Sequence, residues 1–99
     1  MLYAIVARDA PGTREQRAAA RPRHVERVDR LVADGRLVLA GPLPAIDATD
    51  PGPAGYAGSL IVAEFESLAA ARAWAAADPY VVDGVYEHVD VHPFVKARP

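Results

Sequence analysis

The side chains best able to move a proton or hold a metal in this 99-residue chain are three histidines, His24, His88 and His92, and 13 carboxylates. Cysteine is absent, which excludes thiol catalysis, a disulfide framework and Cys-based zinc sites. The run "HVDVH", His88 to His92, invites a metal reading and fails it on spacing. Its alternating β-branched residues and Pro93 argue for a strand, where His88 and His92 share a side but lie about 13 Å apart at roughly 3.3 Å per residue. Asp90 between them would bridge only with help from elsewhere, and no metal is expected. His24 stands near the start of a helical pattern, on the same side as Val28 and Leu31, and is therefore directed toward a sheet. Spacing alone leaves it either as a core histidine bonded to backbone or as a functional one.

Asp78, in "ADPYVVDGVYEHV", precedes Pro79, which disfavours the α region for it and places its carboxylate at a chain bend. One role for such an acid is to cap the next short turn, "PYVVDG". The other is to sit beside an imidazole, fixing its tautomer and raising its basicity for acid-base work. The sequence contains no nucleophile elbow and no paired-carboxylate motif. Gly52 and Gly55 lie in a proline-rich loop that lacks the lysine of a phosphate loop. Acid-base chemistry is what remains.

The elements that must position these residues follow from periodicity. "LYAIVA", Leu2 to Ala7, is a short apolar run stopped by "RDAPG" and reads as a strand. Thr13 with Gln16 resembles a capping box, and Pro22 is expected to interrupt or restart the helix it opens. The main helix then spans about Pro22 to Asp34, with Gly35 ending it. A second strand, Arg36 to Ala40, is expected to break at Gly41 and Pro42. A loop of about 14 residues within Leu43 to Ala57 follows, dense in Gly, Pro and Asp, either a lid or a dimer-contact arm. Ser59 to Phe65 is a third strand, Ser67 caps a helix reaching about Ala76, and a last strand runs from about Gly84 to Val95. The order β-α-β-β-α-β predicts a single α+β domain over residues 1–99, with an antiparallel sheet and two helices on one face.

Helices on one face leave the other to be polar, yet the first strand is apolar on both sides: Leu2, Ala4 and Val6 on one, Tyr3, Ile5 and Ala7 on the other. A second copy of the chain, in a homodimer, is the expected cover. The net charge of -2 argues against nucleic acid, since acids (Glu15, Glu26, Asp29, Asp34) interleave the seven arginines from Arg14 to Arg36. No run approaches the roughly 18 apolar residues of a membrane span, and the start "MLYAIVARDAPG" lacks the basic region and cleavage site of a signal peptide. A cytoplasmic protein with no membrane partner is the expectation.

The segments "RPRHVERVDRLVADGRLVLAGPLP" and "GSLIVAEFESLAAARAWAAADPYVVDGVYEHVDVHPF" resemble the YciI-like (YCII-related) proteins over essentially the whole chain, with R-P-x-H, A-G-P, G-S and A-D-P-Y in order. The resemblance implies a ferredoxin-like fold that dimerises through its sheets as a dimeric α+β barrel, around a pocket centred on a histidine and an aspartate. The matching positions are His24 and Asp78, with Arg21, Ser59 and Tyr80 as further pocket positions for a small-molecule ligand. Relatives with the same barrel include lactone isomerases and enzymes acting on hydroxylated aromatic compounds. The function expected is proton transfer on a small cyclic or carbonyl-bearing metabolite, of isomerase or lyase type and without a cofactor. The alternative is a non-catalytic ligand-binding or regulatory dimer.

Overall fold

The computed structural model describes all 99 residues. Strand β1 (Leu2–Asp9) leads into helix α1 (Arg14–Ala33), then β2 (Leu37–Pro44), a 3-10 turn (Gly52–Ala54), β3 (Tyr56–Glu64), α2 (Leu68–Ala76), the short helix α3 (Pro79–Val82) and β4 (Tyr86–Phe94). The strands form one antiparallel sheet in the order β2-β3-β1-β4. This is the βαββαβ α+β arrangement that the order of elements implied, with α3 added before the last strand.

Register explains the two apolar faces. Tyr3 opposes Ala63, Ile5 opposes Ile61 and Ala7 opposes Ser59, so these residues share the helix-covered side. There Tyr3, Ile5, Ile61 and Ala63 pack with Leu31 of α1 and with Ala71 and Ala75 of α2, and Trp74 borders the cluster. The alternate residues, among them Ala4, Val6, Leu60 and Val62, point away, joined by Leu39 and Leu43 of β2 and Phe94 of β4. Val6, Leu39, Leu43 and Phe94 remain exposed. His88, Asp90 and His92 lie on this open face too, opposite Arg8, Val6 and Ala4. His88 Nε2 is 3.1 Å from Asp90 Oδ2.

Several local expectations are corrected. Pro22 does not divide α1, which runs unbroken for 20 residues around it. A proline there removes only its own amide from the ladder, and an exposed position gives its ring room. Thr13 occupies the N-cap position, but its hydroxyl donates to the Ala10 carbonyl at 2.7 Å and caps no helix amide. Strand β2 continues through Gly41 and Pro42, because it is an edge strand where a missing amide forfeits no ladder bond on the outer side. The irregular part of the long loop consequently shortens to 45–55. Gly35, at φ 69°, closes α1 with the Arg36 amide bonded to the Leu31 carbonyl at 2.9 Å, and no helix is long and apolar enough to cross a membrane.

Candidate functional site

The site is assembled where α1 crosses the helix-covered face near the ends of β2 and β3. Residues 17, 21, 24, 28 and 31 of α1 recur at three- and four-residue intervals and so share one face. Leu31 and Val28 of that stripe enter the core. Toward the N-terminus the same stripe becomes polar, and Arg17, Arg21 and His24 line a cleft of about 890 Å³.

Asp78 ends the chain's second helical segment in an extended conformation (φ -59°, ψ 131°), as the following proline demands. Its Oδ1 accepts the Tyr80 amide at 2.9 Å, capping α3. The same carboxylate lies 2.9 Å from His24 Nδ1 through both oxygens. The two roles read from the sequence as alternatives are thus geometrically compatible. Asp78 is only 3% exposed. As an ionised carboxylate it can only accept, so Nδ1 carries the proton and Nε2 holds the lone pair when the ring is neutral. No protein group engages Nε2.

Tyr80 fixes the plane of that imidazole. Its ring stacks on His24 with centroids 4.0 Å apart and an 18° tilt, and meets Tyr86 edge-on at 5.3 Å. Ala20, Tyr80 and Val85 form a small second core beneath this stack. Burial pushes the Tyr80 phenol up, an effect that Arg17 and Arg21 partly offset. Burial likewise drives the Tyr86 phenol far above its ordinary value. The Tyr86 hydroxyl is buried with no hydrogen-bond partner, and nearby Ser59 opposes the rise.

Arg17 and Asp9 were not singled out by the sequence, in which the arginines of this region stand out only as a run interleaved with acids. Arg17 Nη1 instead holds both Asp9 oxygens, at 2.7 and 2.6 Å, and Nη2 donates to Ser59 Oγ at 3.0 Å and to the Gly58 carbonyl at 3.3 Å. Its guanidinium carbon lies 4.7 Å from the Tyr80 ring centre and 5.3 Å from that of Tyr56. Burial raises the Asp9 carboxyl above its usual value, with Arg17 opposing through a hydrogen bond and charge. The signal available in the sequence was spacing: Arg17 is seven residues, or two turns, before His24. Arg27 donates to the Trp74 carbonyl at 2.8 Å and lies over the Trp74 ring. Burial lowers its pKa while the Asp78 charge raises it.

Gly58 is required here by contact. A β-carbon on it would fall 1.9 Å from the Ala7 carbonyl oxygen, so only glycine lets β3 lie against β1 and deliver Ser59 to the cleft. Of the residues anticipated from the sequence, Arg21, His24, Ser59 and Tyr80 all line the cleft, and Asp78 stands behind His24. Ser59 and Tyr80 are nearly inaccessible, whereas Arg21 is exposed. Residues 50–57 form part of the cleft wall, and Arg14 holds that segment by donating to the Pro53 carbonyl at 3.1 Å.

A solved structure of similar shape is 5-chloro-2-hydroxyhydroquinone dehydrochlorinase (TftG) from Burkholderia phenoliruptrix AC1100, in complex with 2,5-dihydroxybenzoquinone. It has a TM-score of 0.84 and 26% sequence identity over 98% of this chain and 96% of that one. Protein YciI of Escherichia coli O6:H1 is 57% identical over 96 residues, spanning 97% of this chain and 98% of its own length. An uncharacterised protein of Haemophilus influenzae is 52% identical over the same shares. The YCII-related domain matches residues 1–95, and with these relatives it establishes that the chain belongs to the YCII-related family.

Proposed function

We propose that the chain is a small enzyme that moves a proton on a compact cyclic substrate bearing hydroxyl and carbonyl oxygens, with His24 as the base or acid and Asp78 as its orienting partner. The observation that carries this reading is the imidazole itself. Its Nδ1 is tied to a buried carboxylate, its face is held by Tyr80, and its other nitrogen is unengaged in a residue that lines the cleft. Orienting one ring nitrogen so that the other can take or give a proton is how a histidine is prepared for general acid-base work.

The dehydrochlorinase of similar shape, caught with a hydroxyquinone, supports a ring of that kind as the substrate class. Arg17, which touches Asp9, Ser59 and Tyr80 at once, ties β1, β3 and α3 together at the cleft. The segment 45–55 is read as a cover for the bound ring, since its second half already borders the cleft. The open sheet face, with Val6, Leu39, Leu43 and Phe94 exposed, is read as the surface through which two copies form a homodimer.

The test uses 2,5-dihydroxybenzoquinone in D2O. Protonation of a ring carbon by His24, followed by loss of the original hydrogen, would replace that hydrogen with deuterium, which NMR follows directly. Catalysed exchange supports the enzyme reading. Binding detected as a rise in thermal stability, with neither exchange nor turnover of this or related rings, favours a non-catalytic binding module instead. Sedimentation of a fully folded monomer at micromolar concentration would refute the homodimer.

A further inference from the structure

We infer that the cleft selects an anionic ligand, a ring carrying a carboxylate or an enolate oxygen, and that Arg21 is the residue that recognises the charge. This deepens the proton-transfer reading of the same cleft and rests on it for the role of His24. The charged residues lining the cleft are Arg14, Arg17, Arg21 and His24 against Asp9 and Asp50. Arg17 is committed to Asp9, and Arg14 to the Pro53 carbonyl. Asp50 accepts the Gly52 amide at 3.0 Å. Behind His24, Asp78 is committed to the imidazole and to the Tyr80 amide.

Of the charged side chains lining the cleft, Arg21 alone makes neither an ion pair nor a hydrogen bond within the protein, although neighbouring surface arginines do pair: Arg23 with Asp83 and Arg30 with Glu26. It stands one helical turn before His24 on the cleft-facing stripe, so an oxygen it holds lies beside the atom that His24 would deprotonate. A protein of net charge -2 thereby presents a locally positive cleft. Val25, Val28 and Ile61 supply an apolar wall for the body of the ring.

The chemistry is consistent with that placement. When His24 Nε2 takes a proton from a carbon beside a carbonyl, the C–H electron pair becomes the new C=C bond and the carbonyl π pair moves onto oxygen. The enolate oxygen so formed is the charge a guanidinium stabilises, and returning the proton at another atom completes an isomerisation.

The test is calorimetric titration with two pairs of probes: benzoate against benzamide, and cyclohexane-1,3-dione, ionised as its enolate, against its neutral enol ether 3-methoxycyclohex-2-enone. At least one anion should bind about tenfold or more tightly than its neutral partner, and the preference should shrink as salt is raised. Benzoate responding alone identifies a carboxylate site, and the dione alone an enolate site. Arg21→Gln should abolish the preference and leave the fold intact, whereas Arg30→Gln, at an exposed position away from the cleft, should keep it. Equal affinity within both pairs, no binding by any probe, or a preference that survives Arg21→Gln overturns the inference. His24→Asn separates the two proposals: retained anion preference with no proton exchange on any ring, even by the wild type, leaves Arg21 its role and sinks the proton-transfer reading. Exchange on rings bound without regard to charge does the reverse.

Discussion

Asp78 serves a backbone amide and an imidazole at once, and replacing it separates the two duties. Asp78→Ala removes the α3 cap and strands the Tyr80 amide in a buried position. Because the cap is that one hydrogen bond, the expected loss is the cost of a stranded buried donor, about 1–3 kcal/mol, or a Tm drop of about 4–24 °C for a domain of this size. Asp78→Asn has the same shape and keeps an oxygen for the Tyr80 amide, so its stability should stay within about 1 kcal/mol of the wild type. The amide nitrogen then faces His24 Nδ1 at the 2.9 Å held by Oδ2, while the remaining oxygen, at the Oδ1 position, is engaged by the Tyr80 amide. Two N–H groups cannot meet head-on at that distance. The imidazole should therefore switch tautomer, accept at Nδ1 and carry its proton on Nε2, where it can no longer act as a base. A tautomer change of this kind lowers turnover by about a thousandfold or more. Nitrogen-15 shifts of His24, read in the neutral ring, report the tautomer directly. The expected result is Nδ1–H in the wild type and Nε2–H in Asp78→Asn, with both proteins folded. An Nε2–H wild type, or the same tautomer in both, would refute the reasoning.

Other substitutions give independent checks. Gly58→Ala should cost about 3 kcal/mol or more in urea unfolding, because its β-carbon would overlap the Ala7 carbonyl and force β1 from β3. Tyr86→Phe should leave neutral-pH stability equal or slightly higher, since the lost hydroxyl has no hydrogen bond. With its folded pKa raised above 10, Tyr86 contributes stability that is full below about pH 10 and is lost as pH rises toward the folded value. The phenylalanine variant should remove about 1.4 kcal/mol per pH unit from that alkaline slope. Asp9, raised above 3.8, takes up its proton first in the folded state, so its contribution is full below about pH 4 and fades as pH rises through the raised value. Asp9→Asn should flatten this acid-side dependence in unfolding measured across pH 3 to 7.

The two-faced strands and the order of elements were legible because burial leaves a period-two signature, as in Leu2 to Ala7, and because Ser67 caps α2 as its type predicts. Edge context was not legible. Nothing local to Gly41 and Pro42 tells that β2 lies at the rim of the sheet, where a proline is tolerated. His24 and Asp78 were reached through the motifs around them, since contact between residues 54 apart is a tertiary fact that spacing along the chain does not encode. Arg17 was hidden by its type. An arginine among acids on a helix reads as solvated, and only the approach of Asp9 and Ser59 from two strands makes it part of the cleft. Arg21 belongs to the same stripe, and what marks it is the lack of a partner, which a sequence does not display.

The central claim is that His24 moves a proton on a ring bound in the cleft, and deuterium exchange into the hydroxyquinone probe measures that event itself. Wild-type protein should accelerate exchange at the ring carbons, and His24→Asn, folded to the same Tm within a few degrees, should lose about a hundredfold or more of that acceleration. Exchange that proceeds equally in the two proteins would contradict the account.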